Sequence, residues 1–194
     1  MWNRSETKVN ITFIRHGKTR LNELHKYVGV TDESLSSLGA SQIKEYVLEG
    51  KYPEAALLFV SPMKRCKETA RLIYGDMSSI EIGEFREMDF GEFEALGYED
   101  LKGDLRYQRF IDTNGEYPFP GGETKAHFIE RCLRGYERML DIIYAYAKEH
   151  ELRDINVTAL VHGGTIMAIE STIMNKDYYS CQVKNGDLVG WSIT

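Results

Sequence analysis

The stretch Val9-Asn10-Ile11-Thr12-Phe13-Ile14-Arg15-His16-Gly17 decides the reading of the whole chain. Its first six residues alternate in polarity and are rich in β-branched side chains, which is the signature of a strand. The strand runs directly into Arg15-His16-Gly17-Lys18-Thr19. The same layout recurs near the other end of the chain. Ile155 to Val161 reads as a second strong strand, it ends at His162-Gly163-Gly164, and a helix is expected from Thr165 to Met174.

Working outward, the remaining segments alternate between strand and helix patterns. Ser36 can cap a helix from Ser37 to Glu49, stopped by Gly50 and Pro53. Ala55 to Val60 is a short buried-type strand. Ser61-Pro62 then reads as the N-cap and first residue of a helix that runs to Tyr74 and ends at Gly75. Ile80 to Phe85 is a further short strand. The longest helix is expected from Thr124 to Glu149, with Ile129, Cys132, Leu133, Tyr136, Leu140, Ile143 and Ala147 at helical spacing. Leu188 to Ile193 forms a last strand. Between them, residues 90–120 are rich in Gly, Asp and aromatics and read as a cap-like excursion with helical pieces at Tyr98–Leu101 and Leu105–Ile111. Alternating strands and helices predict an α/β fold, a three-layer α/β/α sandwich whose mostly parallel central sheet is covered on both faces. No linker divides residues 1–194, so a single domain is expected.

Composition narrows the function classes. With 42% hydrophobic and 28% charged residues the chain is ordinary globular material. No apolar run reaches the length of a membrane span, and the polar first residues carry no secretory signal. Cys66, Cys132 and Cys181 are an odd, scattered set that suggests neither a disulfide framework nor a zinc site. Reduced thiols and no export signal predict a cytoplasmic protein. The net charge of -6 argues against nonspecific nucleic-acid binding. An anion can still be held where a few cations converge locally.

Such a convergence is visible. Ligands of open α/β sheets bind outside the carboxyl ends of the strands. If the two strong strands are parallel neighbours, His16 and His162 share one rim, with Arg15 beside them. Gly17 and Gly163 allow backbone N–H groups to approach a ligand closely. Arg65 adds a third cation at the start of the helix after Ser61-Pro62, where the helix N-terminus itself favours anions. Either histidine alone also suits a polar residue at a strand end, and Arg65 alone suits a solvated charge. Together, two imidazoles and two guanidinium forks fit a dianionic phosphoryl group.

These segments resemble the histidine phosphatase superfamily, also called phosphoglycerate-mutase-like. Arg15-His16-Gly17-Lys18-Thr19 with Asn22 resembles its opening signature, and Gly29 with Asp32 to Gly39 its next conserved-pattern stretch. Ser61-Pro62-Met63-Lys64-Arg65-Cys66-Lys67-Glu68-Thr69-Ala70 resembles its arginine-bearing helix, and Glu87 to Glu94 the segment that carries its acid. Pro120 to Thr124 and Val161 to Gly164 complete the series in family order. The resemblance implies that His16 forms a phosphohistidine, and that Arg15, Arg65 and His162 hold the phosphoryl oxygens. It places Asn22 at the phosphoryl group and makes Glu87 the proton donor. No metal and no cofactor are implied, and the partner is a small-molecule phosphate ester.

Two departures sharpen this expectation. Lys18 stands where the family usually has Glu or Gln and adds a cation near the mouth. The Arg-His-Tyr-Gly-like run that follows the acid in mutases is replaced by Met88-Asp89-Phe90-Gly91, which favours a phosphatase over a phosphoglycerate mutase. Phe90 to Glu94 with Tyr98 to Leu101 resembles the branch that includes α-ribazole-phosphate phosphatase and broad-specificity enzymes. Tyr98, Tyr107, Phe110 and Tyr117 could stack on an aromatic substrate or simply pack the cap. A non-catalytic phospho-ligand-binding module and a metallohydrolase built on His16 and His162 remain as alternatives.

Overall fold

The computed structural model describes residues 3–194. Five strands form one sheet: β1 (Lys8–Arg15), β2 (Leu57–Val60), β3 (Ser79–Glu81), β4 (Asp154–Val161) and β5 (Leu188–Ile193), in the order β3-β2-β4-β1-β5. All neighbours are parallel except β1 and β5, which are antiparallel. The strands are joined by α1 (Arg20–Glu23), α2 (Ser37–Leu48), α3 (Lys64–Tyr74), α4 (Tyr98–Leu101), α5 (Leu105–Asp112), α6 (Lys125–Glu149) and α7 (Gly163–Met174). The result is the mixed α/β fold with a mostly parallel sheet that the alternating pattern predicts. Among the described residues, no helix is long and apolar enough to cross a membrane.

The period-2 alternation of the strands sorts the core into two layers. Val9, Ile11 and Phe13 of β1 and Val157, Ala159 and Val161 of β4 face α6 and α7, where they meet Phe128, Cys132, Tyr136, Met139, Ile143, Ile166 and Ile169. Ile14 and Leu160 point the other way and join Leu58, Val60, Cys66 and Ala70 under α3. Phe13 stacks on Trp191 of β5 with ring centroids 5.1 Å apart and meets Phe85 edge-on at 6.3 Å. Ring contacts of this kind add to the area buried.

Some boundaries differ from the sequence reading. Helix α2 does start after Ser36, whose hydroxyl accepts from the Gly39 N–H at 2.9 Å. Helix α3, however, begins at Lys64, not at Ser61-Pro62. The Ser61 N–H still bonds the Leu160 carbonyl of the sheet, and its hydroxyl is taken by His162 at 2.7 Å. The cap comes from elsewhere: the Asp32 carboxylate accepts from the Lys64 N–H at 2.7 Å, where it also complements the helix dipole. The expected strand over Ile80–Phe85 splits into β3 and a 3₁₀ turn at Gly83–Phe85, because Phe85 turns inward and is fully buried.

Phe13 lies in the middle of the larger layer with no exposed surface. Its replacement by Ala should lower unfolding free energy by about 3–5 kcal/mol, read from urea denaturation of Phe13→Ala against the wild type.

Candidate active site

The register of β1 against β4 builds the site. Arg15 is the partner of Val161, and the His16 N–H bonds the Val161 carbonyl at 3.0 Å. Both strands therefore end at the same level, and His16 and His162 emerge side by side. Their rings stand edge-on, with centroids 5.1 Å apart and an interplanar angle of 66°. His16 is 3% exposed and His162 is fully buried.

Hydrogen bonds fix the tautomer of each ring. His16 Nδ1 lies 2.7 Å from the Gly17 carbonyl oxygen. A carbonyl only accepts, so Nδ1 carries the proton and Nε2 keeps its lone pair. In His162 the order is reversed: Nδ1 accepts from Arg65 Nε at 3.3 Å, and Nε2 donates to Ser61 Oγ at 2.7 Å. Burial first, and then the Arg65 and Arg15 cations, hold the His16 pKa well below its usual value; the Gly17 hydrogen bond opposes them. His162 is depressed in the same direction, mainly by burial and by Arg65.

Arg15 and Arg65 are placed differently. Arg15 Nη1 donates to the Val183 carbonyl at 2.8 Å, while its Nε is buried with no hydrogen-bond partner. Gly163 gives this guanidinium room beside the start of α7, since a Cβ there would sit 3.1 Å from Arg15 Cζ. Arg65 lies beneath the histidines with no exposed surface. It donates to the carbonyls of Thr31 (2.8 Å) and Gly29 (2.9 Å) and to His162, so it ties the 28–31 loop to the imidazole. That loop is fixed from its other side by Glu94, which accepts from the N–H groups of Gly29, Val30 and Thr31.

Glu87 completes the group. Its carboxylate accepts from the Met88 N–H at 2.9 Å and from the Gly164 N–H at 3.1 Å, at the N-terminus of α7. Gly164 leaves the carboxyl group room in this position, since a Cβ would lie 2.3 Å from Glu87 Oε1 and push it aside. Burial pushes the Glu87 pKa above the usual carboxylate value, against the opposing pull of those two N–H groups and of Arg65 and Arg15. The site thus pairs a neutral, lone-pair-bearing imidazole with a carboxyl group disposed to keep its proton.

Arg15, Glu87, Gly163 and Gly164 line a cavity of about 500 Å³, whose lining does not include the buried His16, Arg65 and His162. Its far walls are largely aromatic and apolar, including Tyr27, Phe90, Phe110, Phe119, Tyr178 and Tyr179. Its other charged side chains are already paired: Lys125 with Glu116, and Glu123 with Arg131. Of the four aromatics singled out from sequence, Phe110 lines this cavity. Tyr107 is instead packed in the core, Tyr98 is largely exposed, and Tyr117 lies under Arg109 at 4.2 Å. Lys18 is half-buried and is not part of the wall. Asn22 closes a capping box with Thr19 at the start of α1. Asn185, which the sequence pattern did not reveal, donates to the His16 carbonyl at 3.1 Å and to Asn22 Oδ1 at 3.4 Å. Cys66 packs against His162, with burial pushing its thiol up to about 12. Among the described residues, no group of three or more His, Cys, Asp or Glu is arranged to hold a metal ion.

Comparison with known proteins agrees with this architecture. The family model of the histidine phosphatase superfamily, branch 1, matches residues 11–193. Uncharacterized phosphatase PhoE of Bacillus subtilis is 28% identical over 172 residues, 86% of this chain and 78% of that protein. A 2,3-bisphosphoglycerate-dependent phosphoglycerate mutase of Xanthobacter autotrophicus is 24% identical over 84% of this chain and 80% of its own length. Among solved structures, a phosphoserine phosphatase mutant of Entamoeba histolytica, in complex with phosphoserine, superposes with a TM-score of 0.74 at 25% identity, covering 94% of this chain and 89% of the other. The α-ribazole phosphatase of Shigella flexneri shares the fold, with a TM-score of 0.74 at 22% identity over 93% of this chain and 89% of that one. The matched span includes β1 from Ile11 onward, the two histidines, both arginines and Glu87, and the chain belongs to the histidine phosphatase superfamily, branch 1.

Proposed function

We propose that this chain hydrolyses small-molecule phosphate monoesters through a phosphohistidine on His16. The observation that carries this reading is the buried, unpartnered Nε of Arg15, next to an imidazole whose free lone pair is on Nε2. A buried donor without a partner is costly, and a phosphoryl oxygen supplies the missing acceptor with charge assistance. The N-terminus of α7, with Gly163, favours the same anion.

The reaction then runs in two balanced steps. Nε2 of His16 attacks phosphorus, the ester P–O bond breaks, and its electron pair goes to the leaving oxygen, which takes the proton of Glu87. In the second step the Glu87 carboxylate removes a proton from water as the water oxygen attacks phosphorus. The P–N bond breaks and its electron pair returns to Nε2. Arg15 stabilises charge on the phosphoryl oxygens and Arg65 adds its positive charge to the site. His162, expected there as well, has its one N–H on Ser61 and its Nδ1 on Arg65, so in this form it orients Arg65 instead of donating to an oxygen. The resemblance places Asn22 at the phosphoryl group. Positioning and charge stabilisation carry most of such a transfer, and the covalent intermediate divides one hard displacement into two easier ones.

Hydrolysis is favoured over a mutase reaction by the charges of the cavity. With Lys125 and Glu123 paired to neighbours, Arg15 is the cation left without a carboxylate partner, which suits one anionic group and not two. The aromatic far wall suits an alcohol with a flat apolar body, as in α-ribazole 5′-phosphate, or a broad range of such esters.

The first test is hydrolysis of 4-nitrophenyl phosphate in the presence of EDTA. Wild-type activity should persist, and His16→Ala should abolish turnover. An active His16→Ala would exclude His16 as the nucleophile, and loss of wild-type activity on chelation would point to a metal. The second test is the pH profile with an alkyl phosphate. His16 is held neutral well below its usual pKa, so kcat/KM should show no imidazole limb near about 6.5 beyond the loss of the substrate dianion itself near about 6. Glu87 must be protonated to act, so activity should decline as pH rises past its raised pKa, giving an acidic-to-neutral optimum. Glu87→Gln should remove that limb and lower the rate by about 10²–10⁴-fold. An unchanged profile would rule out Glu87 as the acid.

A further inference from the structure

The acid Glu87 sits on an irregular segment between a 3₁₀ turn and a loop, not on a helix or strand. Something must hold its backbone still. One side chain reaches that segment repeatedly. Arg131, on the second turn of α6, donates through Nη1 to the carbonyls of Glu84 (2.6 Å) and Arg86 (2.9 Å), and through Nη2 to the carbonyl of Glu87 itself (3.4 Å). The same guanidinium is gripped in fork-to-fork geometry by Glu123, at 3.0 Å from Nε and 2.6 Å from Nη2. Its side chain is 13% exposed and that of Glu123 18%. Glu123 is anchored in turn, because its N–H bonds the Asp89 carbonyl at 2.9 Å, just beyond the acid.

We propose that Arg131 is a positioning residue for Glu87: its planar cation ties the backbone of the acid and of the residues before it to α6, its partner Glu123 holds the Asp89 carbonyl beyond, and together they set where the carboxyl group meets the leaving oxygen. The inference rests on the phosphatase reading above. A lysine cannot replace it, since a single ammonium cannot present the forked donors that reach three carbonyls and a carboxylate together. The groups that interact with the Glu87 carboxyl otherwise are Arg15 from β1, Arg65 and Cys66 from α3, Cys132 from α6 and Tyr178 from the Tyr178–Cys181 turn. None of these is bonded to the backbone of 84–87 in the way Arg131 is.

A general acid matters in proportion to how poor the leaving group is. 4-Nitrophenolate departs near neutral pH without a proton, whereas 2-phenylethanol does not. Arg131→Gln should therefore lower kcat/KM for 2-phenylethyl phosphate by about 10²-fold, the scale of a small misplacement, while hydrolysis of 4-nitrophenyl phosphate changes only a few-fold. The descending high-pH limb seen with the alkyl ester should flatten or move. Arg131→Lys should behave like Arg131→Gln, and it serves in its place if the glutamine variant does not fold by circular dichroism. Equal losses on both esters, with an unmoved pH limb, would mean that Arg131 merely supports the fold, and the inference would be overturned. If the wild type hydrolyses neither ester, the phosphatase reading fails and this inference fails with it. Activity on 4-nitrophenyl phosphate, lost in His16→Ala, separates the two cases.

Discussion

Everything in the site depends on the parallel pairing of β1 with β4. The two strands are distant in sequence, yet their register brings Arg15 opposite Val161 and the His16 N–H onto the Val161 carbonyl. A slip of β1 by one residue against β4 would turn Val9, Ile11 and Phe13 out of the apolar layer, so the same hydrophobic pattern that buries the strands also aligns the histidines. Antiparallel β5 then covers the outer edge of β1, and the loop before it supplies Asn185 and the Val183 carbonyl that touch His16 and Arg15.

Once aligned, the site faces an electrostatic problem. Two guanidinium cations sit among buried groups with little solvent to screen them. Buried charge is expensive unless it is paired or hydrogen-bonded. Arg65 meets that requirement with backbone carbonyls and His162, while Arg15 keeps one donor open. Burial, and after it the cations, keep both imidazoles neutral, while the cations oppose the raising of the Glu87 pKa by burial. An arriving phosphoryl dianion would satisfy Arg15 and, by offsetting the two cations, would raise the Glu87 pKa further, which favours the protonated acid.

Much of this was legible in the residues themselves. Two strands ending in His-Gly, one with an adjacent Arg, located the rim, and the apolar spacing of α6 read almost to its ends. The resemblance to a family in which an acid follows singled out Glu87 from its acidic neighbours, which charge pattern alone could not do. What stayed hidden depends on distant contacts. Ser61-Pro62 has the chemistry of a helix cap, but a histidine a hundred residues away claims the hydroxyl and Asp32 caps α3 instead. Asn185 and Arg131 lie in unremarkable local sequence, and only the fold brings them to His16 and to the Glu87 backbone. Tyr98 and Tyr107 lie ten residues apart or less, yet one is largely exposed and the other sits in the core, because composition does not say which way a cap residue turns.

Rapid quenching during turnover tests most directly whether the Nε2 lone pair of His16 receives the phosphoryl group. Enzyme mixed with excess 4-nitrophenyl phosphate and quenched in base should yield a phosphorylated protein that survives alkali and is lost in acid. Peptide mapping should place the phosphoryl group on His16, and phosphorus NMR should assign it to Nε2. A phosphoryl group found on another residue, or rapid turnover with no phosphoenzyme formed at any time, would contradict the account.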